Sequence, residues 1–338
     1  MRFGILLDHQ YGRDDDLSRR IPELLSFVET VRDLGFDSVF GIHHYLSGLR
    51  TLQPLSLLAR LVDVSGSMQI GTGILILPLV HPVHVAEDVA TIDQLSGGRF
   101  VLGVGAGYRD EEFAAFGIEK SERFRRMVES LEVVTGLWRG EPFTHHGEFF
   151  DLERAELSML PAQQPHPPIW IGANSPIGIK RAARLGYPWL ASGNVKRNWA
   201  VGNLALYREE LVAAGYPDEN RTYPIHRELS LADSREEAIA QVEEYVRRSY
   251  GEYAPYGLDY FETMFEEFKE KSFFFDTPDG VAAKIEDFAE AGYNHFVFRV
   301  QWLGCPPEIS LSIVERFASE VMPRFRERVA AVPSAVGA

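Results

Sequence analysis

The 338-residue chain is 45% hydrophobic and 12% aromatic, enough apolar mass for one large α/β barrel or two average domains. Its 49 acidic against 34 basic residues leave a formal charge of −15, which argues against nucleic acid or an anionic membrane as partner, because both need a basic footprint. A single cysteine, Cys305, excludes a disulfide framework and a cysteine-rich metal site; no apolar run approaches the ~18 residues of a membrane span; the start MRFGILLDHQ reads as a strand rather than a signal peptide, so a cytoplasmic protein is expected.

Phe3–Asp8 is a compact apolar strand ending in a carboxylate. Ile21–Leu34 has apolar residues at helical spacing and stops at Gly35, a natural C′ glycine. Ser38–Ile42 is the second strand, with His43 and His44 at its end, and Pro54–Val64 is helical. Gln69–Leu77 is short and rich in Ile, as in a strand covered on both faces. Gly71, Thr72 and Gly73 interrupt it, which marks a bulge, the approach of a flat ligand, or simply tight packing. A helix over His81–Leu95 ends at Gly97-Gly98, and Phe100–Gly107 is the fourth strand. Strand, helix, strand in this rhythm means right-handed parallel crossovers.

The second half repeats the pattern. Ser121–Trp138 is a long helix with Ser121 as its N-cap, and Gly140–Leu152 reads as a small β-hairpin. The proline-rich connector Pro161–Pro168 leads into a strand at Ile169–Ala173 and a helix from Ser175 to Leu185. Further strands are expected at Trp189–Ser192, Tyr223–Ala232 and His295–Val300, with helices over Asn198–Ala214, Ser234–Tyr250, Thr277–Ala291 and Ile309–Val329. Tyr250–Phe275 breaks the rhythm with Tyr253, Tyr256, Tyr260, Phe261, Phe265, Phe268 and the triple Phe273–Phe275, an insertion suited to a lid or a subunit contact. Eight strands alternating with helices give an α/β fold, a (β/α)8 TIM barrel over residues 1–332, with a hairpin insertion after the fourth helix, the aromatic insertion before the eighth strand, and a disordered tail at 333–338.

In such a barrel chemistry sits at the C-terminal ends of the strands. Two histidines at one strand end can move or hold a proton near neutral pH, and strand alternation lets at most one face the centre. Gly103-Val-Gly105-Ala-Gly107 invites a dinucleotide reading, but Tyr108 holds the place of the third glycine and Arg109–Glu112 are charged, so close backbone approach is the better account. His81, His84, Glu87 and Asp88 have ligand-like spacing on an exposed helix, where a solvated face outweighs a metal site. Gly172-Ala173-Asn174-Ser175 joins a strand to a helix and can seat a phosphate on backbone N–H groups and a hydroxyl, with Arg123 as countercharge; equally, Ser175 caps its helix and Arg123 is solvated.

The run GTGILILPLVHPVHVAEDVATIDQLSGGRFVLGVGAGY (Gly71–Tyr108) resembles the flavin-dependent luciferase-like monooxygenases. FDSVFGIHHY (Phe36–Tyr45) is similar to the double-histidine strand of bacterial luciferase, and FASEVMPRFRE (Phe317–Glu327) to its C-terminal helix. The resemblance implies a barrel that binds reduced FMN, which reacts with oxygen at the flavin 4a carbon. It implies catalytic roles for His43 and its neighbour His44, and a non-proline cis peptide at Gly73-Ile74 beside the ring. Cofactor contacts are expected from Thr72, Gly73, Ile74, Gly105, Ala106, Arg123, Ala173, Asn174 and Ser175. Ala106 is a departure, since luciferase has there an arginine reaching the phosphate. Asp8, Tyr108, Trp199 and Trp302 are the candidate substrate walls, for a small apolar aldehyde, ketone or similar molecule. The resemblance further implies a separate flavin reductase and a homodimer paired through the helices after the second and third strands. Two alternatives stay open: a deazaflavin-dependent hydride-transfer enzyme on the same barrel, and a flavin-binding partner subunit without catalysis.

Overall fold

The computed structural model describes residues 1–254 and 260–330. Eight parallel strands form its centre: β1 (Arg2–Leu7), β2 (Ser38–Gly41), β3 (Gln69–Thr72), β4 (Phe100–Gly105), β5 (Ile169–Gly172), β6 (Trp189–Leu190), β7 (Pro224–Leu231) and β8 (His295–Arg299). Consecutive strands pair from β1 to β6, β7 pairs with β8, and β8 returns to β1. The remaining gap closes just past β6, where Ala191 donates its N–H to Pro224 O (3.2 Å) and accepts from His226 N–H (2.9 Å). The sheet is therefore a closed barrel.

Helices follow each strand: α1 (Leu17–Asp33), α2 (Pro54–Leu61), α3 (Pro82–Leu95), α4 (Arg123–Leu137), α5 (Pro176–Arg184), α6 (Arg197–Ala213), α7 (Pro278–Glu290) and α8 (Pro307–Arg316). Proline occupies the first turn of α2, α3, α5, α7 and α8, where its missing N–H costs nothing and its fixed φ suits a helix. Asp16, Ser175 and Thr277 cap α1, α5 and α7 by accepting a first-turn N–H. The α1 residues Leu24, Phe27, Val28 and Val31 recur at helical spacing and bury one stripe against the barrel.

Inside, Leu6, Phe40, Val101, Trp170, Leu190 and Val297 form a layer of their own, one residue from each of six strands. It is a packed floor, as alternation in a parallel barrel requires, and everything above it opens at the strands' C-terminal ends.

Four local expectations are corrected. The strand foreseen at Gln69–Leu77 breaks after Thr72, where the Gly73–Ile74 peptide is cis, resumes at Leu75–Ile76 beside β4, and ends in a 3-10 turn at Leu77–Leu79. Ser121 does not cap α4: it lies inside a 3-10 turn, Lys120–Glu122, that feeds the helix at Arg123. The helix expected over Ser234–Tyr250 is two, Arg235–Ala240 and Glu243–Gly251. Part of the aromatic insertion is barrel wall, since Phe274–Asp276 pairs in parallel with the end of β7 and Phe273, Phe274 and Phe275 are buried. The antiparallel hairpin after α4 is Phe143–His146 with Asp151–Ala155. Tyr256 and the tail after Val332 lie outside the described residues.

Candidate functional site

Above the apolar floor the barrel mouth encloses a cavity of about 660 Å3. His43 and His44 both line it. Strand alternation does not separate them, because β2 ends at Gly41 and the chain is already irregular when it reaches them. His43 is 3% exposed, and its Nδ1 accepts the N–H of Ile76 at 3.0 Å. Burial, with the neighbouring His44 adding to it, pulls its pKa down to about 4. His43 is therefore a neutral imidazole with its proton on Nε2, a fixed donor.

His44 is held differently. Its Nδ1 lies 3.1 Å from Oε1 of Glu112, which also accepts the N–H of Tyr45 at 2.8 Å and lies 3.3 Å from Nη1 of Arg109. Arg109 donates further to the carbonyls of Tyr45 and Leu46, and both charged residues are buried. Arg109 and Glu112, the two ends of the charged run that counted only against a dinucleotide loop, are thus a buried clamp on the loop after β2, while Asp110 and Glu111 between them are exposed. The sequence signal was weak, because acidic residues in the first turn of a helix, here Asp110–Ala115, usually mean a solvated start.

Close contacts explain the glycines of this region. A Cβ at Gly103 would overlap the carbonyl oxygen of Thr72, and one at Gly105 would lie 2.6 Å from Cδ1 of Ile74. Gly73 is pressed from inside by Leu6 and Phe40. Close packing of backbone, one of the readings open from sequence, accounts for these positions. Gly73, Ile74, Gly105 and Ala106 line the cavity; Thr72 does not, being fully buried with its hydroxyl donating to Gly103 O at 2.6 Å.

At the far side the turn from β5 into α5 brings Ala173, Asn174 and Ser175 to the cavity wall. Ser175 does cap α5, its Oγ accepting from Gly178 N–H at 3.3 Å, yet that hydroxyl keeps a hydrogen to donate. Arg123, at the start of α4, lines the same end, as does Arg181 of α5, which no motif had flagged.

The wall made by β7 and β8 is polar. His226 of β7 and Arg299 of β8 reach the cavity, joined by Tyr108 from the turn after β4 and by Tyr250 and Tyr253 from the insertion after β7. His226 is pulled down to about 3 by burial and by the nearby Arg299 and Arg227 guanidinium groups. Burial disfavours the Arg299 cation, but the carboxylates of Asp8 and Glu228 outweigh that and leave it raised. Three expected substrate walls are not on the cavity. Asp8 instead holds Arg299 (3.2 Å), Trp302 donates its indole N–H to Glu228 (2.7 Å), and Trp199 packs edge-on to Trp189 in the outer layer. His226 and Glu228 were missed from sequence, and the consecutive polar residues His226-Arg227-Glu228 in a central strand were the available signal.

Three ligand-type side chains do not gather into a metal site among the described residues, and His81 is occupied as the N-cap of α3. None of the described helices is long and apolar enough to cross a membrane. The hollow suits a flat ring bearing an anionic tail, with an apolar floor, a neutral donor at one end and guanidinium groups with a helix start at the other.

Comparison with known proteins gives the same direction. The chain is 31% identical over 247 residues to 4-hydroxyprotoasukamycin monooxygenase of Streptomyces nodosus subsp. asukaensis, a match covering 70% of this chain and 66% of that one. It is 26% identical to the oxygenase component of the flavin-dependent trigonelline monooxygenase of Acinetobacter baylyi, over 55% of this chain and 52% of the relative, about half its length. It is also 25% identical to an F420-dependent glucose-6-phosphate dehydrogenase of Amycolatopsis mediterranei, over 90% and 94%. Among solved structures, monooxygenase RslO1 from Streptomyces bottropensis superposes with a TM-score of 0.87 at 26% identity, covering 96% and 100% of the two chains. The oxygenating constituent of 3,6-diketocamphane monooxygenase of Pseudomonas putida, solved with FMN, has the same fold (TM-score 0.82, 21% identity, 96% and 98% covered). The luciferase-like monooxygenase model matches residues 1–295, and the chain belongs to that family.

Proposed function

We propose that this protein is the oxygenase of a two-component flavin monooxygenase, receiving reduced FMN from a separate reductase and oxygenating a small organic substrate with a carbonyl group or similar. The observation that carries the reading is the pairing, across one cavity, of a buried neutral His43 and the cationic end at Arg123 and Ser175. Reduced flavin, when bound, supplies the electrons and the oxygen chemistry. Gly73, Ile74, Gly105 and Ala106 would flank its ring, and Ala173, Asn174, Ser175 and Arg123 its phosphate.

His43 offers its Nε2–H to negative charge developing on oxygen, and cannot take up a second proton near neutral pH because burial opposes the cation. His44, steadied by Glu112, is the group able to accept or return a proton. The apolar floor keeps water from below, and Tyr253, whose hydroxyl donates to Gln10, closes part of the rim. Tyr108 is the remaining substrate contact from the sequence reading. A homodimer through α2 and α3 and a cytoplasmic location complete the proposal.

A deazaflavin hydride-transfer enzyme is the second reading, favoured by the near full-length alignment with the F420-dependent dehydrogenase. One experiment separates them. The purified chain is titrated anaerobically with reduced FMN and with reduced deazaflavin coenzyme, then exposed to oxygen. Micromolar binding of reduced FMN with oxygen uptake supports the oxygenase; binding of the deazaflavin alone, without oxygen uptake, overturns it.

A further inference from the structure

The polar wall of β7 and β8 carries a guanidinium whose hydrogen bonds within the protein are incomplete. Arg299, the last residue of β8, lines the cavity with 12% of its side chain exposed. Its Nε donates to the carbonyl of Gln301 at 3.0 Å and its Nη2 to Oδ2 of Asp8 at 3.2 Å. Nη1 meets no acceptor among the described residues. The carboxylates nearby are already engaged. Oδ1 of Asp8 accepts the N–H of Gln10 at 3.1 Å. Glu228, in register with Arg299 on the next strand, accepts the Tyr250 hydroxyl on Oε1 and the Trp302 indole N–H on Oε2, both at 2.7 Å. A guanidinium N–H that faces a cavity without an acceptor of its own is a donor for whatever fills that cavity.

His226 stands one layer lower, in register with Val297 of the apolar floor. It also lines the cavity, and its Nε2 has no hydrogen-bond partner, lying 3.9 Å from Oε1 of Glu228. Burial and the guanidinium groups of Arg299 and Arg227 keep the ring neutral. The wall therefore offers hydrogen bonds without surplus positive charge, because Asp8 pairs with Arg299 and Glu228 stands beside them. A carboxylate brought here would lose its hydration and face two acids for one guanidinium, which outweighs a single charge-assisted contact. A neutral oxygen acceptor meets no such opposition.

The place of this donor suits a substrate. β8 is four strands from β4, counted through β1, β2 and β3, and so lies across the eight-stranded barrel from the cationic end. Tyr253 borders both the donor and the histidines: its ring centroid is 5.2 Å from that of His44, and its phenol is among the groups that act on the Arg299 charge.

We propose that Arg299 selects the substrate: its Nη1–H group donates to the oxygen of a neutral ketone or aldehyde, with the His226 ring beneath, while Asp8 and Glu228 turn carboxylates away. This deepens the oxygenase reading above and rests on it.

The test reads binding and bond polarisation, not turnover. Cyclohexanone is the probe, with methylenecyclohexane, similar in shape but without the oxygen, and cyclohexanecarboxylate as controls. Each is titrated by calorimetry into the protein loaded with oxidised FMN, and the carbonyl band of bound cyclohexanone is recorded by isotope-edited infrared difference spectroscopy. One charge-assisted hydrogen bond predicts cyclohexanone binding about tenfold or more tighter than methylenecyclohexane, with its carbonyl band at lower frequency than in water. Cyclohexanecarboxylate should bind more weakly than the ketone. Arg299→Lys keeps a charge for Asp8 but loses the fork that reaches Asp8 and the ligand together, so the ketone's advantage should shrink to within about twofold and its band should move back toward the position in water. Circular dichroism melting checks that the variant is folded; where it is not, the wild-type comparison decides alone. In a wild type that binds FMN, three results overturn the proposal and leave the flavin reading standing: no advantage of cyclohexanone over methylenecyclohexane, an unshifted carbonyl band, or a carboxylate that binds more tightly than the ketone. A folded Arg299→Lys variant that keeps the shifted band does the same. A wild type that does not bind FMN overturns both.

Discussion

Oε1 of Glu112 lies 3.1 Å from Nδ1 of His44 while facing Arg109 at 3.3 Å, so one buried carboxylate orients an imidazole and neutralises a guanidinium at once. Glu112→Ala removes the carboxylate that faces the buried Arg109 guanidinium, and breaking such a pair costs about 3–5 kcal/mol. Glu112→Gln keeps an acceptor for the Tyr45 N–H and should cost clearly less. Urea denaturation of both variants checks the order; equal and small losses would mean that the clamp carries no stability.

The βα rhythm was readable because each parallel crossover demands a helix with one apolar stripe, and α1 and α3 display theirs plainly. The mouth was readable from strand ends, which brought His43, Gly73, Gly105 and Ser175 to one cavity. What escaped depends on distant chain segments. Glu112 is buried only because the loop after β2 folds back onto it, and Arg181 lines the cavity from the body of α5, beside Phe124 of α4, where no strand-end motif marks it. Trp199 and Trp302 misled because a large aromatic near a strand end fits either the barrel mouth or the outer packing, and only the register of β6 and β8 decides.

Acid sensitivity follows from the histidines. His9 and His43 are pulled down to about 4, and His226 and His295 to about 3, in every case first by burial. In the unfolded chain all four protonate near 6.5. Between that value and their folded pKa values the unfolded state binds more protons, so their contribution is complete above pH 6.5 and is lost as pH falls toward 4 and then 3. Each can contribute a slope of up to about 1.4 kcal/mol per pH unit. Denaturation midpoints between pH 7 and pH 4.5 should fall steeply, and His295→Gln, which can still bond Ser38, should flatten the slope. A slope unchanged in that variant would remove His295 from the account.

The glycines of β4 separate packing from cavity shape. A Cβ at Gly103 meets backbone, the carbonyl oxygen of Thr72, whereas at Gly105 it meets the movable end of Ile74. Gly103→Ala should therefore cost the upper part of the about 1–3 kcal/mol typical of overpacking, and Gly105→Ala the lower part while displacing Ile74 at the cavity wall. Melting temperatures rank the two, and flavin titration of Gly105→Ala reads the wall; a more stable Gly103→Ala than Gly105→Ala would contradict the assignment.

His43 carries two roles that a pair of substitutions can divide. Its Nδ1 satisfies the Ile76 N–H, and its Nε2–H is the donor that the proposed function assigns to the flavin oxygen chemistry. His43→Ala removes both, leaving a buried N–H unpaired at about 1–3 kcal/mol and perturbing the segment that shapes the wall. His43→Asn can keep an acceptor for Ile76 but no longer presents the imidazole N–H at the same depth. Losing one preorganised donor to a developing oxygen charge typically costs about 10²–10³ in rate. Stopped-flow reoxidation of bound reduced FMN by oxygen should then slow by roughly that factor in both variants, while only His43→Ala loses stability. If His43→Asn reoxidises the bound flavin at the wild-type rate, the imidazole is a prop for Ile76, and the proton chemistry belongs to His44 alone.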